Sequence, residues 1–354
     1  MRFPVSSSRM FQKLNPRIAI VFAIGLALIS LTACSSSDDD VAQASAGSLV
    51  VYSGRSESLV GPIIEQFGEA SGIDVQVKYG GTAELAATLR EEGNNTPADV
   101  FFAQDPGGLG AVANMLSQLP QDIISAVPDW ARASTGAAWV GISGRARVVV
   151  YNRDKVSEAD LPSDLRDLAD PQWKGRVGWA PANASFQTMV TAMRSAWGEQ
   201  ATRDFMADLK SNDPKEYPKN TPIVAATAAG EIDVGLVNHY YLHRFIQEDG
   251  EDFAARNHFM RDAGPGSLVM VSGAGILNEA DNRENAEKFL RFMVSTVAQQ
   301  YFASQTFEYP LVEGVNTHRL LPPIAGLNGP DIDVADLADV AGTQSLLRDL
   351  GIIP

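Results

Sequence analysis

The sequence predicts an α/β fold with two lobes, in which parallel-rich sheets are flanked by helices. Extended and helical patterns alternate as strand, helix, strand, helix, strand between Leu49 and Phe102, which is typical of a parallel sheet covered by helices. A second unit of this kind begins with the apolar strand at 147–151. Since no linker rich in proline or serine separates the two units, we expect the chain to cross between lobes through strands.

Apolar periodicity places the elements of the first unit. It predicts strands at 49–52, 73–77 and 98–102, and helices from about 59 to Gly72 and over 83–92. The middle strand alternates apolar and polar residues, so one of its faces is expected to be buried.

The second unit follows the same periodicities. It predicts strands at 176–180 and 232–237, helices at 186–197 and 202–209, an apolar glycine-punctuated stretch at 266–277, and one long amphipathic helix over 285–304. We expect an N-terminal lobe over 48–147 and a C-terminal lobe over 148–270, with 271–354 returning across the hinge to complete both. The strand crossings near 147–151 and 267–272 are expected to act as hinges.

Composition narrows the function classes. The chain has 354 residues, of which 45% are hydrophobic and 20% charged, as is ordinary for a globular protein of two domains. Its formal net charge is -15, which would repel a phosphate backbone, so no nucleic-acid partner is expected. A cationic or metal ligand is compatible with this charge.

The N-terminal residues predict export. Residues 1–33 carry four basic side chains and no acidic one, and the apolar run 18–31 is too short to span a bilayer comfortably. It is followed by Leu31-Thr32-Ala33-Cys34, which resembles the bacterial lipobox, whose cysteine becomes the lipidated first residue. We expect a lipoprotein signal peptide over 1–33, lipidation of Cys34 and a flexible tether over 34–47. The alternative is a signal peptide followed by an incidental cysteine.

Two adjacent tyrosines carry the clearest chemical signal. Tyr240 and Tyr241 follow an apolar strand and precede a helical pattern, and at such a corner two neighbouring phenols can converge. A phenol has a pKa of about 10, so a trivalent hard cation can displace its proton and bind the phenolate. The alternative from these residues alone is that one ring packs and the other faces solvent.

From about Leu49 to the C-terminus, the chain resembles the periplasmic ferric-ion-binding proteins of bacterial ABC importers, which are often compared with transferrin. The resemblance is carried, in order, by Val51-Tyr52-Ser53-Gly54, Pro97-Ala98-Asp99-Val100-Phe101, Ser143-Gly144-Arg145-Ala146-Arg147-Val148-Val149-Val150-Tyr151, Tyr217-Pro218-Lys219-Asn220, Gly230-Glu231-Ile232-Asp233 and Asn238-His239-Tyr240-Tyr241. It implies a two-lobed periplasmic-binding-protein fold that closes on one ferric ion (Fe3+). It also implies phenolate ligands from Tyr240 and Tyr241, often with a synergistic anion such as carbonate or phosphate.

This sequence departs from the family pattern at two expected ligands. Ser56 stands where the best-known members have a histidine, and Gln104 stands where they have a glutamate. Other members use a third tyrosine near the 181–186 loop, where this chain has Asn183, Ala184 and Ser185. We therefore expect exogenous ligands to complete the coordination of the metal.

The anion-binding candidates come partly from the resemblance and partly from side-chain chemistry. The family places its anion beside the positions of Asn183, Ala184, Ser185, Asn220 and Asn238.

Arg55 is an additional anion-binding candidate, because a guanidinium holds an oxyanion through two parallel hydrogen bonds, although a surface arginine is the other interpretation. Asp105 could donate an oxygen to the metal, but capping of the following helix is favoured.

The histidines and the remaining motifs favour a binding protein over an enzyme. His239 and His243 lie four residues apart and could chelate a divalent metal, but packed or solvent-facing histidines are favoured. The sequence has no Gly-x-Ser-x-Gly elbow, no phosphate-binding Gly-Lys-Ser/Thr loop and no Cys–His pair beyond Cys34.

We therefore expect a monomeric lipoprotein on the extracytoplasmic face of the cell envelope, held to the membrane through its lipid anchor. It would capture ferric iron between its lobes and deliver it to an inner-membrane ABC permease. The alternative is a protein of the same fold that binds a small organic or oxyanion ligand.

Overall fold

The computed structural model describes residues 46–261, 264–327 and 329–354. The predicted signal peptide, Cys34 and most of the tether lie outside the described residues. Within these three ranges, no helix has both the length and the apolar character to cross a membrane.

The described residues form nine strands and eleven α-helices. The strands are β1 (Ser48–Ser53), β2 (Asp74–Tyr79), β3 (Val100–Ala103), β4 (Val140–Asn152), β5 (Val177–Trp179), β6 (Lys215–Glu216), β7 (Val234–Asn238), β8 (Ala255–His258) and β9 (Val269–Ile276). The helices are α1 (Glu57–Ser71), α2 (Thr82–Glu92), α3 (Pro106–Gly110), α4 (Gln121–Ile124), α5 (Ala184–Trp197), α6 (Glu199–Ser211), α7 (Asn220–Ala228), α8 (Tyr240–Asp249), α9 (Arg283–Met293), α10 (Thr296–Gln305) and α11 (Val340–Asp349).

The helix α1 shows how local sequence sets an element. Leu59, Ile63 and Phe67 recur on one face and are buried, so the helix packs this stripe against the sheet. It ends where Gly72 adopts a φ of 72° and donates its N–H to the carbonyl of Gly68, a conformation that glycine accepts at little cost. The predicted end of this helix is confirmed.

The strands pair in the order β2-β1-β3-β9-β4-β7-β5-β6, with β8 also paired to β4. β1 is parallel to β2 and β3, and β5 is parallel to β6 and β7, whereas every pair that includes β4 or β9 is antiparallel. The predicted α/β fold is confirmed, with parallel strands toward each end of the order and antiparallel strands at its centre.

The long strand β4 joins the two lobes. Its first part, up to Ala146, pairs with β9, while its second part, from Arg147 onward, pairs with β7 on one side and β8 on the other. We call β1–β3, β9 and the first part of β4 the first lobe, and β5–β8 with the second part of β4 the second lobe. The domain boundaries and hinge positions named from the sequence stay predictions.

Each lobe has its own apolar core. The first core contains Phe67, Phe101 and Phe289, and the core of the second lobe contains Trp173 and Phe186. Tyr240 at the start of α8 belongs to the first core, whereas β7, the strand before it, lies in the second lobe. The tyrosine pair therefore lies where the two lobes meet.

The single long helix predicted over 285–304 is wrong. The chain forms α9 and α10, separated at Val294 and Ser295. Ser295 is the N-cap of α10, and its side chain accepts a hydrogen bond from the backbone of Ala298. A serine that caps a new helix turns the backbone, so Val297 does not continue the apolar face and is 52% exposed.

Candidate functional site

The tyrosine pair lies at a strand-to-helix corner, as the sequence predicts. β7 ends at Asn238, His239 precedes the helix, and α8 begins at Tyr240. The rings of Tyr240 and Tyr241 stack with centroids 4.3 Å apart and an interplanar angle of 28°. Tyr240 is buried, whereas Tyr241 is partly exposed and packs against cores on both sides of the corner. The two phenols therefore converge on one place.

The surroundings keep the Tyr241 phenol protonated when no cation is bound. Burial is the main cause that raises the pKa of Tyr241, and the neighbouring Tyr240 adds to it, while Arg55 and Arg145 oppose the shift. A cation that binds here as a phenolate complex must displace a proton. Two guanidinium groups close enough to oppose this shift also favour the phenolate once it forms.

Three buried arginines surround this place. Arg55 lies in the loop after β1, and Arg145 and Arg147 lie two residues apart on β4, so these two point to the same face of the strand. All three are at most 2% exposed. Burial lowers the pKa of Arg145 and of Arg147, and the mutual repulsion of neighbouring guanidinium groups adds to this.

Arg145 and Arg147 present hydrogen-bond donors that find no acceptor among the described residues. These are Nε and Nη1 of Arg145 and Nε and Nη2 of Arg147. The remaining Nη2 of Arg145 donates to the carbonyl of Gln104. A buried donor without a partner costs about 1–3 kcal/mol, so an oxyanion that accepts from these groups would be bound favourably.

Arg147 also gathers the side chains that the resemblance assigned to the anion. Its Nη1 donates to Oδ1 of Asn238 at 3.0 Å, and it lies 3.4 Å from both Oγ of Ser185 and Oδ1 of Asn220. Asn183 caps α5 and accepts from the backbone and the hydroxyl of Ser185 at 3.1 and 2.6 Å.

Further contacts complete this group. Asn220 is the first residue of α7, and its Nδ2 donates to Oδ1 of Asn183 at 3.3 Å. Ala184 opens α5 beside them. The structure thus brings Asn183, Ser185, Asn220 and Asn238 into one hydrogen-bond network around Arg147, where the first turns of α5 and α7 offer backbone donors.

Arg55 is placed differently from the anion ligand that the sequence suggested. Its Nη2 forms an ion pair with Glu308, which is completely buried and also accepts from the hydroxyl of Ser143. Burial by itself would lower the pKa of Arg55, but Glu308, Tyr240 and Tyr241 outweigh it and raise that pKa. Arg55 therefore faces the tyrosines with its charge already compensated.

The other positions of the expected ligand set differ in their surroundings. Asp105 caps α3, since its Oδ1 accepts from the backbone of Gly108 at 3.0 Å, which confirms the favoured interpretation. Burial raises the pKa of Asp105, and Arg145 opposes the shift. Ser56 is exposed at the start of α1, and Gln104 is half-buried.

Of the two favoured interpretations for the histidines, packed or solvent-facing, the structure shows packing for His239 and His243. Nδ1 of His239 accepts from the backbone of Ala146 at 3.1 Å, and Nε2 donates to the carbonyl of Phe307 at 2.6 Å. His243 stacks on the ring of Phe307 with centroids 4.9 Å apart. Across the three described ranges, no group of three or more His, Cys, Asp and Glu side chains is placed to hold a metal ion.

Sequence reasoning missed Arg145, Arg147 and Glu308 as site residues. The two arginines had a signal, because charged residues two apart in an otherwise apolar strand lie on one buried face. Glu308 had none, because its partner Arg55 is 253 residues away in the chain.

Two α/β lobes that share a strand, with converging phenols and buried guanidinium groups where they meet, define a solute-binding protein of the kind that bacteria export. The family described as bacterial extracellular solute-binding proteins matches residues 95–325, and the chain belongs to this family. This is a family of solute-binding proteins in transport.

Individual relatives narrow the class further. The major ferric iron-binding protein of Neisseria meningitidis serogroup B is 35% identical over 312 residues, which cover 86% of this chain and 93% of the relative. Iron-bound HitA from Pseudomonas aeruginosa has a TM-score of 0.82 and 34% identity, and the alignment covers 86% of this chain and 99% of that one. IdiA/FutA from Trichodesmium, in complex with iron and citrate, has a TM-score of 0.76 and 29% identity over 86% and 99% of the two chains.

Proposed function

We propose that this protein captures ferric iron between its lobes and delivers it to an ABC permease of the inner membrane. The observation that carries the proposal is the stacked pair Tyr240 and Tyr241, facing buried guanidinium groups. Relatives that bear ferric-iron-binding names over most of their length support this assignment.

Tyr240 and Tyr241 supply the protein's metal ligands in this proposal. A ferric ion takes about six hard donors, so two phenolates leave several positions open. Ser56 and Gln104 replace the histidine and glutamate of the best-known members, which moves more of the coordination to an exogenous ligand. The citrate in the Trichodesmium complex is a ligand of that kind.

A synergistic anion fills these positions. The unpartnered donors of Arg145 and Arg147 point to an oxyanion such as carbonate, phosphate or a chelating carboxylate. The group of Asn183, Ala184, Ser185, Asn220 and Asn238 supplies further hydrogen-bonding groups around the same guanidinium.

Cys34 anchors the protein through lipid on the extracytoplasmic side, and residues 34–47 tether a monomeric body. Lobes over 48–147 and 148–270, with 271–354 returning across the hinge, would close on the ion.

Conservative loss of either phenol tests the metal site. Tyr240→Phe and Tyr241→Phe each remove one donor oxygen and keep the ring, so each should lose the visible charge-transfer band on titration with ferric citrate and bind iron at least tenfold more weakly. Tyr79→Phe, a tyrosine in β2 away from the pair, is the matched control and should behave as the parent. Because phenolate formation releases protons, binding should also weaken as the pH falls.

Parental affinity and spectrum in both site variants would reject phenolate coordination. If these variants and the parent bound phosphate or an organic acid equally well without any ferric colour, the alternative of an oxyanion or organic ligand would replace iron.

A further inference from the structure

One short segment of the chain, 306–309, contacts both sides of the site. The carbonyl of Phe307 accepts from His239, which directly precedes the tyrosine pair. The carboxylate of Glu308 holds Arg55 from the other side, and the backbone of Tyr309 exchanges two hydrogen bonds of 2.8 Å with Gly144 of β4. The segment therefore fixes Arg55 relative to the tyrosines.

The backbone at Phe307 is held in an uncommon conformation. Its φ is 56°, in the left-handed region that bulky side chains rarely adopt. The ring is buried between His243 and His318, with centroids 4.9 and 4.6 Å away. Packing and hydrogen bonds thus determine where the next residue, Glu308, directs its carboxylate.

The three buried arginines differ in the hydrogen-bond acceptors that they contact. Nε of Arg55 also finds no acceptor among the described residues, but its Nη2 is held by the carboxylate of Glu308. Glu308 is itself fixed by Ser143, whose hydroxyl lies 2.7 Å from that of Ser272. Within the described residues, Arg145 and Arg147 donate only to neutral oxygens. Asp105 lowers the electrostatic cost of Arg145, yet its bonded oxygen is used by the helix cap.

We propose that Glu308 is a positioning residue that keeps Arg55 charge-compensated and outside the anion site, so that Arg145 and Arg147 alone hold the anion. This inference rests on the proposed function, because it divides the arginines of that same site. A free third guanidinium would attract a second oxyanion to the place where the phenols must meet the metal. The carboxylate of Glu308 prevents this by occupying Arg55.

Calorimetry of inorganic phosphate binding to the iron-free protein tests whether Arg55 differs from Arg145 and Arg147 in this way. Arg145→Gln should weaken phosphate at least tenfold, whereas Arg55→Gln should stay within twofold of the parent. Glu308→Gln frees Arg55 and should tighten phosphate about fivefold or add a second site. The double variant Arg55→Gln with Glu308→Gln should return to parental affinity and one site.

Controls separate this role from a purely structural one. Arg203→Gln, at a partly exposed arginine paired with Asp349, controls for net charge and should bind as the parent. Removing one member of a buried ion pair is destabilising, so thermal unfolding is recorded for every variant. If Glu308→Gln does not fold, the comparison of Arg55→Gln with Arg145→Gln decides, because a loss of phosphate affinity confined to Arg145→Gln is not produced by general destabilisation.

Three results would overturn the proposal. They are a loss of phosphate affinity in Arg55→Gln as large as that in Arg145→Gln, parental phosphate binding in a folded Glu308→Gln, and absence of phosphate binding to the parent. None of these measurements involves iron. Parental iron binding in Tyr240→Phe and Tyr241→Phe would reject the ferric site, but it would not affect the proposed difference between Arg55 and the other two arginines.

Discussion

Replacing His239 by leucine tests whether this histidine holds the site together or binds metal. The ring is fully buried and links two backbone groups, the N–H of Ala146 and the carbonyl of Phe307. Leucine is of similar size and makes neither hydrogen bond. Each buried backbone group left without a partner costs about 1–3 kcal/mol, so with two such groups we expect the free energy of unfolding to fall by about 2–6 kcal/mol at pH 7.5.

The pH dependence gives the same experiment a second readout. Burial lowers the pKa of His239 to about 4 from 6.5, so neutral His239 contributes stability above pH 6.5, and this contribution is lost as the pH falls toward 4. At about 1.4 kcal/mol per pKa unit, the parent should lose about 2 kcal/mol from this group between pH 7.5 and 5. The difference between parent and His239→Leu should shrink by that amount.

Urea unfolding of the iron-free protein at the two pH values measures both effects. Burial also lowers the pKa of His243, to about 3, but His243 is present in parent and variant, so its contribution largely cancels. A variant as stable as the parent at pH 7.5, or a difference that grows toward pH 5, would refute the reasoning. A normally stable variant that loses the ferric band would make His239 a ligand.

Three further predictions concern anchoring, closure and the first lobe. Cys34→Ala should move the protein from the membrane to the soluble fraction without unfolding it, because 34–47 precede β1; a variant that stays fully membrane-bound contradicts the anchor. Small-angle scattering should show a smaller radius of gyration at saturating ferric citrate, and an unchanged radius would argue against closure. Asp99→Asn should lower the free energy of unfolding in urea by about 1–3 kcal/mol. The two carboxylate oxygens of Asp99 accept from the backbones of Val50 and Asn282, each at 2.8 Å, and an amide turns one of these acceptors into a donor. Parental stability of Asp99→Asn would contradict this assignment.

The predictions of secondary structure were correct where a short stretch of sequence decides the structure. Apolar residues at helical spacing and a terminal glycine sufficed for α1, and an apolar run before two tyrosines sufficed for the corner between β7 and α8. The error over 285–304 arose because periodicity continues across Val294 and Ser295. There the backbone turns, and only the cap made by Ser295 reveals it.

The site was predictable to the extent that its residues are neighbours in sequence. The stacking of Tyr240 on Tyr241 follows from adjacency at a corner. The network around Arg147 joins β4 to residues between 38 and 91 positions away, and no periodicity encodes such contacts. The resemblance supplied the four other members of that network, and the structure alone identified Arg147 as a site residue.

The charges around the tyrosines explain why the missing histidine and glutamate need not abolish metal binding. The pair of Arg55 and Glu308 is neutral as a unit, and Asp105 partly offsets the charge of Arg145, so Arg147 and part of the charge of Arg145 remain beside the phenols. A trivalent ion bound by two phenolates keeps a positive charge, and burying it beside two more cations would be unfavourable in a medium of low polarity. A multiply charged oxyanion would offset much of this charge and would accept the free guanidinium hydrogens. Gln104 stands where the best-known members have a glutamate, so the proposed site has one protein anion fewer. We therefore expect it to prefer carbonate, phosphate or citrate to a monovalent ion such as chloride.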